Sequence, residues 1–108
     1  MATKVFIKQF GGEVVGDVAY NTQGALVVSA YAPYLQAELE AIVGQIVQRP
    51  LTAVTGMQVE QNGQITHKTI ARPVNPGEPR YLLALADALT QARVRIANKR
   101  IRAYVVTE

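Results

Sequence analysis

The chain has 108 residues, with 49% hydrophobic and 18% charged residues, no cysteine, no tryptophan and a formal net charge of +3. That length and balance suit a single domain, residues 1–108, around one core of Val, Ile, Leu and Ala. The lack of cysteine excludes disulfides, thiolate metal sites and cysteine nucleophiles, and no apolar run approaches the ~20 residues of a membrane helix.

MATKVFIKQFGGEVV has no long apolar stretch of the signal-peptide kind. The expected setting is therefore a bacterial cytoplasm. Lys4 to Phe10 is rich in β-formers and ends at Gly11-Gly12, so it predicts a strand. Glu13 to Tyr20 and Ala25 to Ala30 flank NTQG and predict a hairpin with a four-residue loop. Pairing Tyr20 with Ala25 sets Val18 opposite Val27 and Val14 opposite Tyr31 on one face. Both faces of this hairpin are rather apolar, so a position covered on both sides is expected.

Pro33 suits the first turn of a helix, where its missing N–H costs nothing. Leu35, Leu39, Ile42 and Ile46 then recur at four, three and four residues, the apolar stripe of a helix lying on a sheet. Arg49-Pro50 ends it. In GMQVEQNGQITHKTIARPV, Asn62-Gly63 marks a second hairpin. A two-residue loop would mix polar and apolar residues on both faces. A three-residue loop, Gln61-Asn62-Gly63, pairs Val59 with Ile65 and Met57 with His67, and it sorts the faces. The sorted register is the expectation. Next, NPGEPR starts a second helix, capped by Asn75 with Glu78 three residues on or beginning at Pro79. Leu82, Leu85, Leu89, Ala92 and Ile96 carry its apolar face.

The stretch ARVRIANKRIRAYVV follows, with four arginines, one lysine and no acid. It fits a hairpin around Asn98-Lys99, with Ile96 opposite Ile101 and Val94 opposite Ala103. It also fits a helix that continues to Ala97, with Asn98 in the left-handed position and a strand from Arg100. The unbroken apolar spacing and the cations in the last turn favour the helix. In either case the arginines lie outside the core. Tyr104 alternates with Arg100 and Arg102, so it can stack a base beside cations that hold phosphates.

Other chemistry is sparse. His67 is the only histidine and Ser29 the only serine, and neither has partner residues in a catalytic pattern. No phosphate loop, dinucleotide fingerprint or calcium loop is present. PYLQAELEAI and PRYLLALADAL share a layout, each following a hairpin, which suggests a ββα duplication.

The expected fold is α+β, in the order β-β-β-α-β-β-α-β, a mainly antiparallel sheet with two helices packed on one face. The expected function is that of a small non-enzymatic interaction module, self-associating as a homodimer and open to a protein partner, without cofactor, metal or membrane span. The alternative is nucleic-acid binding through Arg93, Arg95, Lys99, Arg100, Arg102 and Tyr104. A remaining possibility, an enzyme, would need His67 and carboxylates at a shared interface.

Overall fold

β-Branched and aromatic alternation builds the main sheet. The computed structural model describes residues 3–107, apart from the side chains of residues 54–57. Three strands open the chain: β1 (Thr3–Gln9), β2 (Val14–Tyr20) and β3 (Leu26–Ala30). A 3₁₀ turn (Pro33–Leu35) leads into α1 (Gln36–Val47), a long ribbon of β4 (Leu51–Gln61) and β5 (Gln64–Val74) follows, then α2 (Pro79–Gln91). β6 (Arg95–Ile96) and β7 (Lys99–Thr107) close the chain. The five-stranded sheet runs β3-β2-β1-β7-β6, and β4-β5 stands apart as a two-stranded unit. Every strand pair is antiparallel. The architecture is thus the expected α+β one, with an added short strand and with the second hairpin outside the main sheet. The two ββα segments therefore share an order but not a placement.

Both helices pack on one side of the sheet. Val5, Ile7, Val18 and Ile101 from the strands meet Leu39, Val43, Leu82, Leu85 and Leu89 from the helices in one core. The buried line runs from Leu35 of the 3₁₀ turn to Leu39 and Val43 of α1, while Ile42 and Ile46 flank it half-buried. Close approach of α1 to the sheet requires a glycine: a Cβ on Gly16 would lie 2.8 Å from Leu39 Cδ1 and 2.6 Å from the Ser29 carbonyl oxygen.

Side chains finish what the strands leave open. On the outer edge of β3, the Gln36 amide accepts from Ala30 N–H and donates to the Val28 carbonyl, both at 2.8 Å. It takes the place of a further strand and covers an edge that could otherwise template pairing. On the far side of β7, β6 ends after two residues, and Thr90 replaces it. Its hydroxyl accepts from Ala103 N–H at 2.9 Å and lies 3.2 Å from the Ala103 carbonyl. Tyr20 ties the sheet to the start of α2, its hydroxyl accepting from Gly77 N–H at 2.8 Å.

Three expectations are corrected by turn geometry. The first hairpin pairs Tyr20 with Leu26 and Val18 with Val28, one residue away from the expected register. Asn21 Oδ1 accepts from both Gln23 and Ala25 N–H, and Gly24 takes φ +81°, so the loop closes one residue later. In the second hairpin, Asn62 (φ 54°) and Gly63 (φ 80°) form the rejected two-residue loop, and Val59 pairs with Thr66. Both central residues have positive φ, as an Asn-Gly hairpin turn demands. Finally, the second helix stops at Gln91 and does not reach Ala97. Arg93 adopts φ 54°, and Ala97 (φ 50°) and Asn98 (φ 66°) make a hairpin turn that pairs Arg95 with Arg100. Ile96, fully buried, is held as a strand residue and not on a helix face.

The β4-β5 ribbon gives the molecule its shape. Each strand has 11 residues, about 36 Å at strand rise. The extents are 59 × 33 × 27 Å with a radius of gyration of 16.0 Å, against about 13 Å for a compact chain of this size. Leu51 and Val74 at its base are buried, and Ile65 near its tip is 64% exposed.

Candidate nucleic-acid interface

Helices occupy one face of the five-stranded sheet. Alternation sends the other half of the side chains to the opposite face. Val5 and Ile7 point to the core, so Lys4, Phe6 and Lys8 of β1 point away from it. On β7, Ile101 is buried, so Arg100, Arg102, Tyr104 and Val106 share the open side. The register then sets Phe6 opposite Tyr104 and Lys8 opposite Arg102. Arg95 on β6 lies opposite Arg100, and Phe10 adds an exposed ring where a shallow depression forms with Arg95, Asn98 and Arg100.

The aromatic centre is well defined. Phe6 and Tyr104 have ring centroids 5.8 Å apart and planes inclined by 30°. The Arg102 guanidinium carbon stands 5.8 Å from the Tyr104 centroid, within cation–π range. One further register position along, β2 contributes Asp17 opposite Phe6, and β3 contributes Ser29 opposite Asp17. Asp17 is the only acid in the strands of this sheet. Tyr31 Oη donates to Asp17 Oδ2 at 2.9 Å. Desolvation first, then this hydrogen bond and the carboxylate charge, push the Tyr31 phenol up to about 12.

Of the residues singled out in the sequence, Arg95, Arg100, Arg102 and Tyr104 converge on the open face. Arg93 does not, because it sits in the left-handed turn after α2. Lys99 does not either. It pairs with buried Ile96 and borders a recess at the end of the sheet with Gln9, Glu13, Tyr31 and Tyr34. Sequence inspection missed Lys4, Phe6 and Lys8. Their period-2 alternation with Val5 and Ile7 was a signal for them, but only the β1-β7 pairing places them beside the arginines. His67 falls on the ribbon, exposed and opposite Gln58, not packed opposite Met57.

Among the described residues, no group of three or more His, Asp or Glu side chains is placed to hold a metal ion. No described helix is long and apolar enough to cross a membrane. No family model, no curated protein and no solved structure matches this chain.

Proposed function

We propose that the protein is a non-enzymatic module that binds single-stranded nucleic acid on the open face of its five-stranded sheet. One observation carries this: the Phe6–Tyr104 pair at the centre of the face, bordered by Lys4, Lys8, Arg95, Arg100 and Arg102. Unpaired bases stack on exposed aromatic rings for about 1–3 kcal/mol each, and cations around them hold the phosphates. A duplex hides its base faces and gains nothing from the rings. From Tyr104 to Ser29 the row crosses three strand spacings, about 14 Å, which is room for two or three stacked nucleotides.

Self-association through the same face is the competing idea, and the charges oppose it. Two copies face to face would set these lysines and arginines against their own kind, with Asp17 as the only acid in the strands of this sheet to offset them. The edges are also occupied where Gln36 and Thr90 bond to the outer strands.

Anisotropy with labelled oligonucleotides tests the proposal. With about four phosphates contacted, the log–log salt slope on a single strand is near −3, so affinity falls ~50-fold between ~50 and ~200 mM salt. Phe6→Ala and Tyr104→Ala should each weaken binding ~5- to 100-fold and leave the slope unchanged. Equal affinity for duplex and single strand, or no loss in either alanine variant, would refute it.

A further inference from the structure

On the strength of that nucleic-acid reading, we infer that Tyr31 is a third stacking position of the interface, held in place by the buried carboxylate of Asp17. Tyr31 follows β3 and extends its ladder by one bond, its N–H donating to the Val15 carbonyl at 2.9 Å. Ser29 stands two residues earlier, opposite Asp17, so alternation sends Tyr31 to the same face as these two. Gly16 packs on Leu39 and Val18 is fully buried, so that face is the open one. There the Tyr31 hydroxyl reaches Asp17 Oδ2 at 2.9 Å. Asp17 lies directly opposite Phe6, and Phe6 directly opposite Tyr104. The hydroxyl therefore ends in the transverse row that holds the other two rings, one strand beyond Phe6. Two strand spacings, about 10 Å, separate Asp17 from Tyr104 along that row, which leaves room for a third base beside two.

Exposure separates the ring from its anchor. Asp17 is 9% exposed, whereas Tyr31 is 53% exposed. A tyrosine recruited only for packing would bury its ring. Here the hydroxyl is tethered and the ring stays open, so the freedom that a base would otherwise have to quench is lost before it arrives. A buried carboxylate is costly unless it is hydrogen-bonded. Once bonded, its charge makes the hydrogen bond roughly twice as strong as a neutral one. Asp17 is thus a positioning residue that acts through Tyr31 and touches no ligand itself. Desolvation first, then Asp17 and last the Tyr104 phenol push the Tyr31 phenol up to about 12, so it keeps the proton that it donates.

The cations of the face stand on β1, β6 and β7, and the sequences of β2 and β3 contain none. A base on Tyr31 is therefore held by stacking, and it adds affinity without steepening the salt dependence.

The experiment uses the full chain and labelled nine-residue single-stranded DNA oligomers, abasic except for none, two, three or four adjacent central thymidines. Phosphate number stays constant while the number of stackable bases changes. Two bases should bind above the abasic strand, a third should add ~5-fold or more at the same salt slope, and a fourth less than about twofold. In Tyr31→Ala the third-base gain should vanish while two-base affinity keeps its parent value, which also reports that the variant is folded. Tyr31→Phe and Asp17→Ala keep the ring and lose the anchor, so each should retain a gain smaller than the parent's. A third base that adds nothing to the unaltered protein, or a gain that survives Tyr31→Ala, would overturn the inference and leave the two-ring platform standing. An undiminished gain in both anchor variants would overturn the role of Asp17. Two bases that bind no tighter than the abasic strand would remove the platform itself. If Tyr31→Ala fails to fold, the unaltered protein still decides: 5-iodouracil, placed in turn at each end of the three-base run and irradiated, should crosslink to Tyr31 from one end. Crosslinks confined to other residues would count against the inference.

Discussion

Gly16 and Gly44 make a matched pair whose substitution by alanine should have opposite signs. At Gly16 the added Cβ would stand 2.6 Å from the Ser29 carbonyl oxygen, 2.8 Å from Leu39 Cδ1 and 3.3 Å from Ala30 Cα. Ordinary contact would require about 0.7 Å of relief from backbone that is locked in the β2-β3 ladder. Leu39 is fully buried under α1 and has no room to withdraw. Overpacking of this kind costs about 1–3 kcal/mol and sometimes more. Loss of glycine's freedom in the unfolded chain returns less than ~1 kcal/mol. Gly16→Ala should therefore cost about 1–2 kcal/mol net, a sizeable share of the ~5–15 kcal/mol that a domain has. Gly44 lies in α1 with nothing within 4 Å of its Cβ position. Gly44→Ala should stabilise by up to ~1 kcal/mol. Urea unfolding followed by circular dichroism measures both. Gly16→Ala within ~0.5 kcal/mol of the parent would refute close packing of α1 on β2, as would two shifts of the same sign.

Tyr31 offers a pH test. Its phenol is pushed up to about 12 from 10.0, so its contribution to stability is intact below pH 10 and is lost as pH rises through 12. Burial raises Tyr81 as well, so absorbance at tyrosinate wavelengths should show more than one late-titrating tyrosine, of which Tyr31→Phe removes one and Asp17→Asn returns that one toward the ordinary value. Thr90→Val should leave Ala103 N–H without its partner and cost about 1–3 kcal/mol, with Thr90→Ser nearer neutral. In the β6-β7 turn, Ala97→Gly relieves a left-handed alanine and should raise stability by ~0.5–1 kcal/mol in thermal melts. Reversing Arg100 and Arg102 to Glu should flatten the salt slope by ~1.4 or more, and an unchanged slope would take both residues out of the phosphate contacts.

Strands, both helices and their common face were legible because periodicity reports burial directly. The failures lie where sorting of faces was the wrong criterion. Register follows the hydrophobic pattern only where one face is buried, and most of the β4-β5 ribbon is exposed on both. There the Asn62-Gly63 turn decided alone. The end of α2 was hidden for another reason. Left-handed positions are usually marked by glycine, but here Arg93 and Ala97 fill them. Strand pairing of Arg95 and burial of Ile96 override a spacing that continues the helical stripe.

The open face shows what a linear reading cannot contain. Alternation alone puts Arg100, Arg102 and Tyr104 on one side of a strand, and that much was visible in the sequence. A row of cations beside a single tyrosine is equally what a solvated strand looks like. The distinction comes from β1, some 90 residues away in the chain, which lies against β7 with Phe6 opposite Tyr104 and Lys8 opposite Arg102. A charged row whose only purpose is solubility gains nothing from a second aromatic ring at its centre, because even a half-buried phenylalanine such as Phe6 adds apolar surface to that face. A stacking surface needs the second ring, since one ring orients one base and two adjacent rings fix the path of the strand. Replacing Phe6 with threonine separates the two cases: a solvated face keeps or gains stability and loses nothing else, while a stacking surface loses oligonucleotide affinity ~5-fold or more at unchanged salt dependence.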